Sequence, residues 1–96
     1  MSKFGEKVVL FLCTGNYYRS RFAEVLFNAV ADRMGLAWRA SSAALALERG
    51  SGNVGPMAPS AVEALATLGV HAGHALTRLP AAVTEEDFAR ASRVVA

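Results

Sequence analysis

The chain has 96 residues, of which 53% are hydrophobic, and this composition fits one small packed domain over residues 1–96 and excludes a disordered chain. Ten basic and eight acidic residues leave a formal net charge of +2, which is too small to indicate a nucleic-acid-binding surface. The sequence contains no signal peptide, no run of the ~20 apolar residues that a membrane helix needs, and only one cysteine, so we expect a cytoplasmic protein without a membrane partner.

The first predicted strand spans residues 7–12, after a polar lead-in over residues 1–6. Its apolar side chains follow one another without alternation, which is typical of a parallel strand covered on both faces. The strand leads into a short segment that contains the cysteine: Cys13, Thr14, Gly15, Asn16, Tyr17, Tyr18, Arg19 and Ser20. A strand, a loop with glycine and asparagine, and then a helix together predict an anion-binding loop.

The loop between Cys13 and Arg19 has the residue types needed to hold a tetrahedral oxyanion. Five residues are enough for the backbone to curl around an anion, with the amides of residues 14–19 pointing inward. We expect Gly15 and Asn16 to adopt the positive φ angles of such a curl. The Arg19 guanidinium and the N-terminal end of the next helix favour both a bound anion and a Cys13 thiolate. Cys13 could instead be a small buried apolar residue, although burial alone would not require glycine, asparagine and arginine at these offsets.

Helical periodicity begins at Arg19 and continues to Met34, and Gly35 can end the helix. A second strand is predicted over residues 36–41. The glycine-rich residues 45–55 then predict a loop.

A second helix is predicted to begin near Pro59, which suits a first turn, and to end at Gly69. We expect its buried stripe to consist of Val62, Leu65, Ala66 and Leu68. Thr84 predicts the N-cap of a third helix, in which Asp87 is a capping residue rather than a catalytic acid. Residues 93–96 predict the start of another core strand.

His71 and His74 are the only histidines of the chain. Neither cysteine pairs nor clustered carboxylates accompany them, so we predict a structural or surface role and no metal site.

The stretch around the cysteine resembles the opening signature of the low-molecular-weight protein tyrosine phosphatases and of the arsenate reductases that share their fold. The matching residues are Leu10-Phe11-Leu12-Cys13-Thr14-Gly15-Asn16, then Arg19-Ser20 and Ala23-Glu24. The resemblance implies an α/β fold of three layers, α/β/α, with a central parallel sheet. It further implies that Cys13 is the nucleophile and Arg19 the phosphate clamp, and that residues 14–20 bind the substrate without a metal or organic cofactor.

In the same family, Asn16 and Ser20 would shape the loop and stabilise the thiolate. Residues 42–44 stand where the family has a turn whose serine supports the loop asparagine. Ser42 is therefore our candidate for supporting Asn16; it could equally cap only local backbone. Tyr17 and Tyr18 could stack against an aromatic substrate or shield the loop as packed side chains.

Three departures from the family pattern are visible in the sequence. Tyr18 occupies the place of a second cysteine, so Cys13 lacks a neighbour that could protect it from irreversible oxidation. Arg21 occupies the place of a proline. The chain matches only the N-terminal portion of the family domain and has no counterpart of the late aspartate that acts as general acid, so we expect a truncated version of a longer protein, incomplete at its C-terminal end.

The sequence thus predicts a phosphatase that cleaves phosphotyrosine or other aryl phosphates through a phosphocysteine intermediate, with activity impaired by the missing acid. Two alternatives stay open. One is a non-catalytic module that binds phosphate or a phosphoprotein, with the loop intact and turnover lost. The other is an arsenate reductase, against which the single cysteine argues. A nucleotide-binding P-loop is not expected, because no Gly-Lys-Ser/Thr follows the loop.

Overall fold

The computed structural model describes residues 7–50 and 52–96, and the predicted lead-in over residues 1–6 lies outside this range. The regular elements are β1 (Lys7–Cys13), α1 (Arg19–Met34), β2 (Trp38–Ala44), α2 (Pro59–Thr67), α3 (Glu85–Arg90) and β3 (Arg93–Val95). Two short 3-10 helices, Leu47–Gly50 and Gly73–Thr77, interrupt the connections.

The three strands form one parallel sheet in the order β2-β1-β3. β1 is therefore central, and its register with β2 runs from Lys7 beside Trp38 to Cys13 beside Ala44. Parallel neighbours require a crossover, which α1 provides between β1 and β2. The predicted parallel sheet is confirmed, and the carboxyl end of its central strand carries the cysteine.

Helices cover both faces of the sheet. On one face, Phe11 of β1 meets Phe27 of α1 edge to face, with 6.1 Å between the ring centroids. On the other face, Leu10 and Leu12 form an apolar cluster that includes Ala91, directly after α3. α2 packs against the outer side of α1 through a second apolar cluster: Met57, Ala58, Ala61, Leu65, Val70 and Ala72, with Phe22, Val25, Leu26 and Ala29 against them. The predicted α/β/α layering is confirmed.

The helix ends follow from local chemistry. α1 spans the predicted residues, and Gly35 ends it with a φ of 68°, while the Leu36 amide donates to the Ala31 carbonyl at 2.9 Å. α3 begins with a reciprocal capping box, in which the Asp87 amide donates to the Thr84 hydroxyl and the Thr84 amide donates to the Asp87 carboxylate. Asp87 is thus a capping residue, as predicted.

Two sequence predictions about element detail were wrong. The second strand covers residues 38–44 rather than 36–41, because pairing with β1 extends it through the segment predicted as a turn at residues 42–44. In α2, the buried residues are Ala61 and Leu65, whereas Ala66 is exposed, and Leu68 is exposed because the helix ends before it, at Thr67.

Within the described residues, no helix combines the length and the apolar character that crossing a bilayer would demand.

Candidate active site

Residues 14–18 form the loop that joins β1 to α1, which we call the anion loop. Amides of neighbouring segments hold two of its carbonyls and that of the preceding Cys13: Leu45 donates to the Cys13 carbonyl at 2.9 Å, Ala46 to that of Thr14 at 3.0 Å, and Ala58 to that of Tyr17 at 2.9 Å. Inside the curl, the amides of Asn16 and Tyr17, together with that of Ser20 at the start of α1, point at the Cys13 sulfur.

The Cys13 sulfur sits at the focus of these amides. Burial raises the pKa of the thiol, but hydrogen bonds from the Ser20 hydroxyl and from the amides of Ser20, Asn16 and Tyr17 outweigh burial, so its pKa lies below the ordinary value. A lowered pKa favours the thiolate, which is the nucleophilic form of cysteine. The structure therefore places Cys13 in an anion-stabilising site at the strand end.

Ser20 contacts the sulfur from the first turn of α1, with 3.1 Å between its Oγ and the Cys13 Sγ. The Asn16 Nδ2 donates to the same Oγ at 2.8 Å. The neutral thiol can donate to this oxygen, whereas a thiolate has no hydrogen and can only accept from the hydroxyl. When Cys13 is a thiolate, Ser20 is thus a hydrogen-bond donor to it.

The curl of the loop depends on Asn16, which has a φ of 51° and is fully buried. The same prediction for Gly15 was wrong, because its φ is not positive. Gly15 lies close to neighbouring residues instead: a Cβ there would lie 3.3 Å from the Asn53 Nδ2 and 3.8 Å from the Gly50 Cα. A Cβ at Gly50 would be more crowded, at 2.7 Å from the same Asn53 Nδ2 and 3.5 Å from the Gly15 Cα.

Arg19 begins α1 and shares a cavity of about 230 Å³ with Cys13 and Ser20. Its side chain is exposed and has no hydrogen-bond or ion-pair partner among residues 7–50 and 52–96. A guanidinium without a protein partner among the described residues, lining the same cavity as the Cys13 sulfur, can bind two oxygens of a tetrahedral anion. No carboxylate side chain lines this cavity in the described part of the chain.

Behind the loop, Asn16 reaches the end of β2. Its Nδ2 donates to the Ser42 Oγ at 2.9 Å, which is the contact predicted from the sequence. The Ser42 hydroxyl in turn donates to the Glu24 carboxylate at 2.5 Å. Ser42 is buried and lies inside β2 rather than in a turn, so the loop asparagine is anchored to the sheet.

Arg78 was not singled out by the sequence and completes this arrangement. Its Nη1 donates to the Asn16 Oδ1 at 3.1 Å, and its Nη2 lies 3.0 Å from the Ser42 Oγ and 3.2 Å from the Glu24 Oε1. Arg78 is 62 residues from Asn16 in the sequence, so no local pattern could indicate the contact.

Arg21, the departure at the family's proline position, is completely buried. Its guanidinium donates to the carbonyls of Pro56 at 2.8 Å, Ala75 at 2.5 Å and Arg78 at 3.1 Å. Burial lowers the pKa of Arg21, and the nearby Arg78 lowers it further, whereas Glu24 raises it. Arg21 fastens the 75–78 segment to α1.

The two tyrosines of the loop point in different directions. The Tyr17 hydroxyl donates to the Val54 carbonyl at 2.6 Å, so this ring bridges the loop to the segment before α2. Tyr18 is 43% exposed and stacks on Phe22 of α1, with 6.5 Å between ring centroids. The Tyr18 ring therefore presents an exposed aromatic surface, whereas the Tyr17 side chain is held by its hydrogen bond to the backbone of Val54.

The histidines form no site in the part of the chain that the structure describes. His71 is exposed, and the side chain of His74 lies outside the described atoms. No group of three potential metal ligands occurs among the described residues.

Residues 8–96 match the family model described as low molecular weight phosphotyrosine protein phosphatase. No protein with a curated function matches the sequence closely enough to count as a relative.

Solved structures give the same result. The chain is similar to a low molecular weight protein tyrosine phosphatase from T. tengcongensis, with 34% identity and a TM-score of 0.77 over 92% of this chain and 56% of that one. A counterpart from Bacillus subtilis, solved in solution, shares 39% identity with a TM-score of 0.68, over 91% of this chain and 53% of that one. YwlE arginine phosphatase, in a form with a phosphorylated active-site serine, shares 32% identity with a TM-score of 0.72, over 91% of this chain and 52% of that one. This chain therefore spans a little over half the length of these structures.

Proposed function

The chain belongs to the low molecular weight phosphotyrosine protein phosphatase family, and from this premise we propose that it hydrolyses phosphate monoesters through a phosphocysteine intermediate. The observation that carries the proposal is the Cys13 sulfur, which receives the Ser20 hydroxyl and the amides of Ser20, Asn16 and Tyr17 and shares its cavity with Arg19.

In the first step, the Cys13 thiolate attacks the phosphorus in line with the leaving oxygen. The sulfur–phosphorus bond forms while the phosphorus–oxygen bond of the ester breaks, and the bonding pair leaves with the alcohol oxygen. The Arg19 guanidinium and the inward amides stabilise the negative charge on the three equatorial oxygens. Because the amides of Ser20, Asn16 and Tyr17 already point at the Cys13 sulfur, little reorganisation is needed at the moment of reaction.

In the second step, water attacks the phosphocysteine. The new phosphorus–oxygen bond forms, the sulfur–phosphorus bond breaks, and the pair returns to Cys13 as thiolate. The donors that lower the pKa of Cys13 make the sulfur a better leaving group in this step. Inorganic phosphate is released, and neither step uses a metal or an organic cofactor.

The substrate class that fits best is an aryl phosphate, such as phosphotyrosine in a protein or a small molecule. The exposed Tyr18 ring beside the loop supports this class, because it can stack on an aromatic leaving group. Since the similar YwlE is an arginine phosphatase, phosphoarginine is the comparison substrate in the test. A working thiolate and a single cysteine suit a reducing compartment, so we place the protein in the cytoplasm.

The test is turnover of p-nitrophenyl phosphate, a phosphotyrosine peptide and a phosphoarginine peptide by the full chain. We expect turnover of p-nitrophenyl phosphate that disappears in Cys13→Ser and falls about 10²–10³-fold in Arg19→Met, which removes one donor to the transition state. Arg33→Met, on the exposed end of α1, is the matched control and should leave the rate unchanged. Equal activity in Cys13→Ser would refute the assignment.

One observation favours a second candidate, a non-catalytic phosphate-binding module. No carboxylate side chain of the described residues lines the Cys13 cavity, and a general acid is worth about 10²–10⁴ in rate for a poor leaving group. Calorimetric titration with phosphate and vanadate, run beside the turnover assay, separates the two. Binding without release of p-nitrophenol selects the module, and absence of any anion binding refutes both.

A further inference from the structure

We propose that Arg78 is a positioning residue: its guanidinium fixes the orientation of the Asn16 side-chain amide and thereby directs the Ser20 hydroxyl at the Cys13 sulfur. This inference deepens the proposed function and rests on it in one respect, that the sulfur works as a thiolate. It concerns a residue 65 positions from the cysteine, on the segment before α3.

The orientation of the Asn16 side-chain amide is set by its hydrogen-bond partners. Its Oδ1 accepts from the Arg78 Nη1 at 3.1 Å and from the Ala81 amide at 3.1 Å. Because both groups on that side are donors, the Asn16 side chain must face them with its acceptor, the Oδ1. The Nδ2 must therefore face the opposite way, where it donates to Ser20 at 2.8 Å and to Ser42 at 2.9 Å.

The direction of the Ser20 hydroxyl hydrogen depends on this orientation of Asn16. Because the Asn16 Nδ2 faces the Ser20 oxygen, the side chain of Asn16 offers no acceptor to the Ser20 hydrogen, and the Cys13 sulfur, which as a thiolate can only accept, lies 3.1 Å away. If the amide of Asn16 were reversed, its oxygen would accept the Ser20 hydrogen and the sulfur would lose a donor. The orientation of one buried amide thus decides whether the sulfur receives this hydrogen bond.

Arg78 is itself held in place by side-chain and backbone contacts. Its guanidinium is paired with Glu24 at 3.2 Å and contacts the Ser42 Oγ at 3.0 Å. The following backbone is fastened to the end of β2, because the Ala44 amide donates to the Ala81 carbonyl at 2.8 Å and the Val83 amide donates to the Ala44 carbonyl at 2.9 Å. The planar fork of arginine can reach Asn16 and Glu24 at once, which a lysine ammonium cannot reproduce.

Other charged groups also surround these residues. Arg19 faces the Cys13 cavity from α1, and Arg21 and Glu24 approach Arg78 from the same helix. Arg39 lines a larger cavity together with Arg78, as do Asp32 and His71. Removing the Arg78 charge could therefore act on the sulfur through space as well as through Asn16, and the experiment has to separate the two routes.

The experiment measures the pH dependence of iodoacetamide alkylation of the full chain, in which Cys13 is the only cysteine. Arg78→Met should raise the pH midpoint by about one unit, a tenfold loss of thiolate preference, and Arg78→Lys by less. Arg39→Met removes a guanidinium that lines the same larger cavity and should leave the midpoint unchanged. A midpoint in Arg78→Met equal to that in Arg39→Met would overturn the proposal.

A double-mutant cycle separates the two routes. In the Ser20→Ala background, Arg78→Met should add at most about 0.3 unit, because the hydroxyl through which it acts is gone. A through-space effect would add its full shift in both backgrounds, and that result would also overturn the proposal. If circular dichroism shows that Arg78→Met does not fold, the same cycle with Arg78→Lys decides the outcome.

The two proposals fail in different ways. Alkylation reads the thiolate without turnover, so a chain that hydrolyses no phosphate ester still reports on Arg78. Conversely, if the midpoint shifts of Ser20→Ala and Arg78→Met were additive, the proposal for Arg78 would fail, but the expected loss of turnover in Cys13→Ser would be unaffected.

Discussion

Replacing Ser20 by alanine tests how the anion loop stabilises the sulfur. The Ser20 hydroxyl lies 3.1 Å from the Cys13 Sγ, and the amides of Ser20, Asn16 and Tyr17 remain in the variant. A hydrogen bond to a charged group contributes about 1.5–3 kcal/mol, and one pKa unit corresponds to about 1.36 kcal/mol. Because three backbone amides still stabilise the thiolate in the variant, the lower end of that range applies. The pKa of Cys13 should therefore rise by about one unit in Ser20→Ala.

The assay is the pH profile of Cys13 alkylation. Loss of a donor to the thiolate raises its pKa, so at acidic pH the variant should react more slowly, while above both pKa values the two rates should converge. Ser60→Ala, at an exposed position of α2, is the matched control and should follow the unmodified chain. An unchanged or lowered midpoint in Ser20→Ala would show that the hydroxyl does not donate to the sulfur.

Three further predictions concern stability. Arg21→Ala should lower the free energy of unfolding in urea by at least about 2 kcal/mol, because three carbonyls lose a buried charged donor, and a change within 0.5 kcal/mol would contradict that role. Thr84→Ala should cost about 1 kcal/mol through loss of the capping box, and an equal loss in the exposed control Ser60→Ala would argue against the cap. Because the folded pKa of Cys13 is lowered, its stabilisation is complete above the unfolded thiol pKa of ~8.5 and is lost as pH falls through the folded value. The difference in unfolding free energy between the chain and Cys13→Ala should therefore grow towards alkaline pH, and a pH-independent difference would refute the shift.

The sequence predicted the parts of the fold that are encoded locally. α1 could be predicted from Arg19 to Met34 because its periodicity is long and Gly35 ends it with a left-handed conformation. β1 and the anion loop were predicted because an apolar run, a glycine-asparagine pair and an arginine follow one another within a few residues.

What the sequence could not show depends on contacts between distant segments. β2 continues to Ala44 only because Cys13 of β1 lies beside it, and serine and alanine carry little strand propensity of their own. Gly15 was assigned a positive φ, but within the anion loop only Asn16 adopts one. Arg78 meets partners 36 to 62 residues away, so its place behind the loop appears only in three dimensions.

The central claim is that the anion loop binds a tetrahedral oxyanion directly against the Cys13 sulfur. The most direct measurement is the rate of Cys13 alkylation as inorganic phosphate is added at constant pH, with chloride added to the same ionic strength as the control. We predict that phosphate slows alkylation along a saturable curve, whereas chloride has no such effect. An alkylation rate that does not depend on phosphate would contradict the claim.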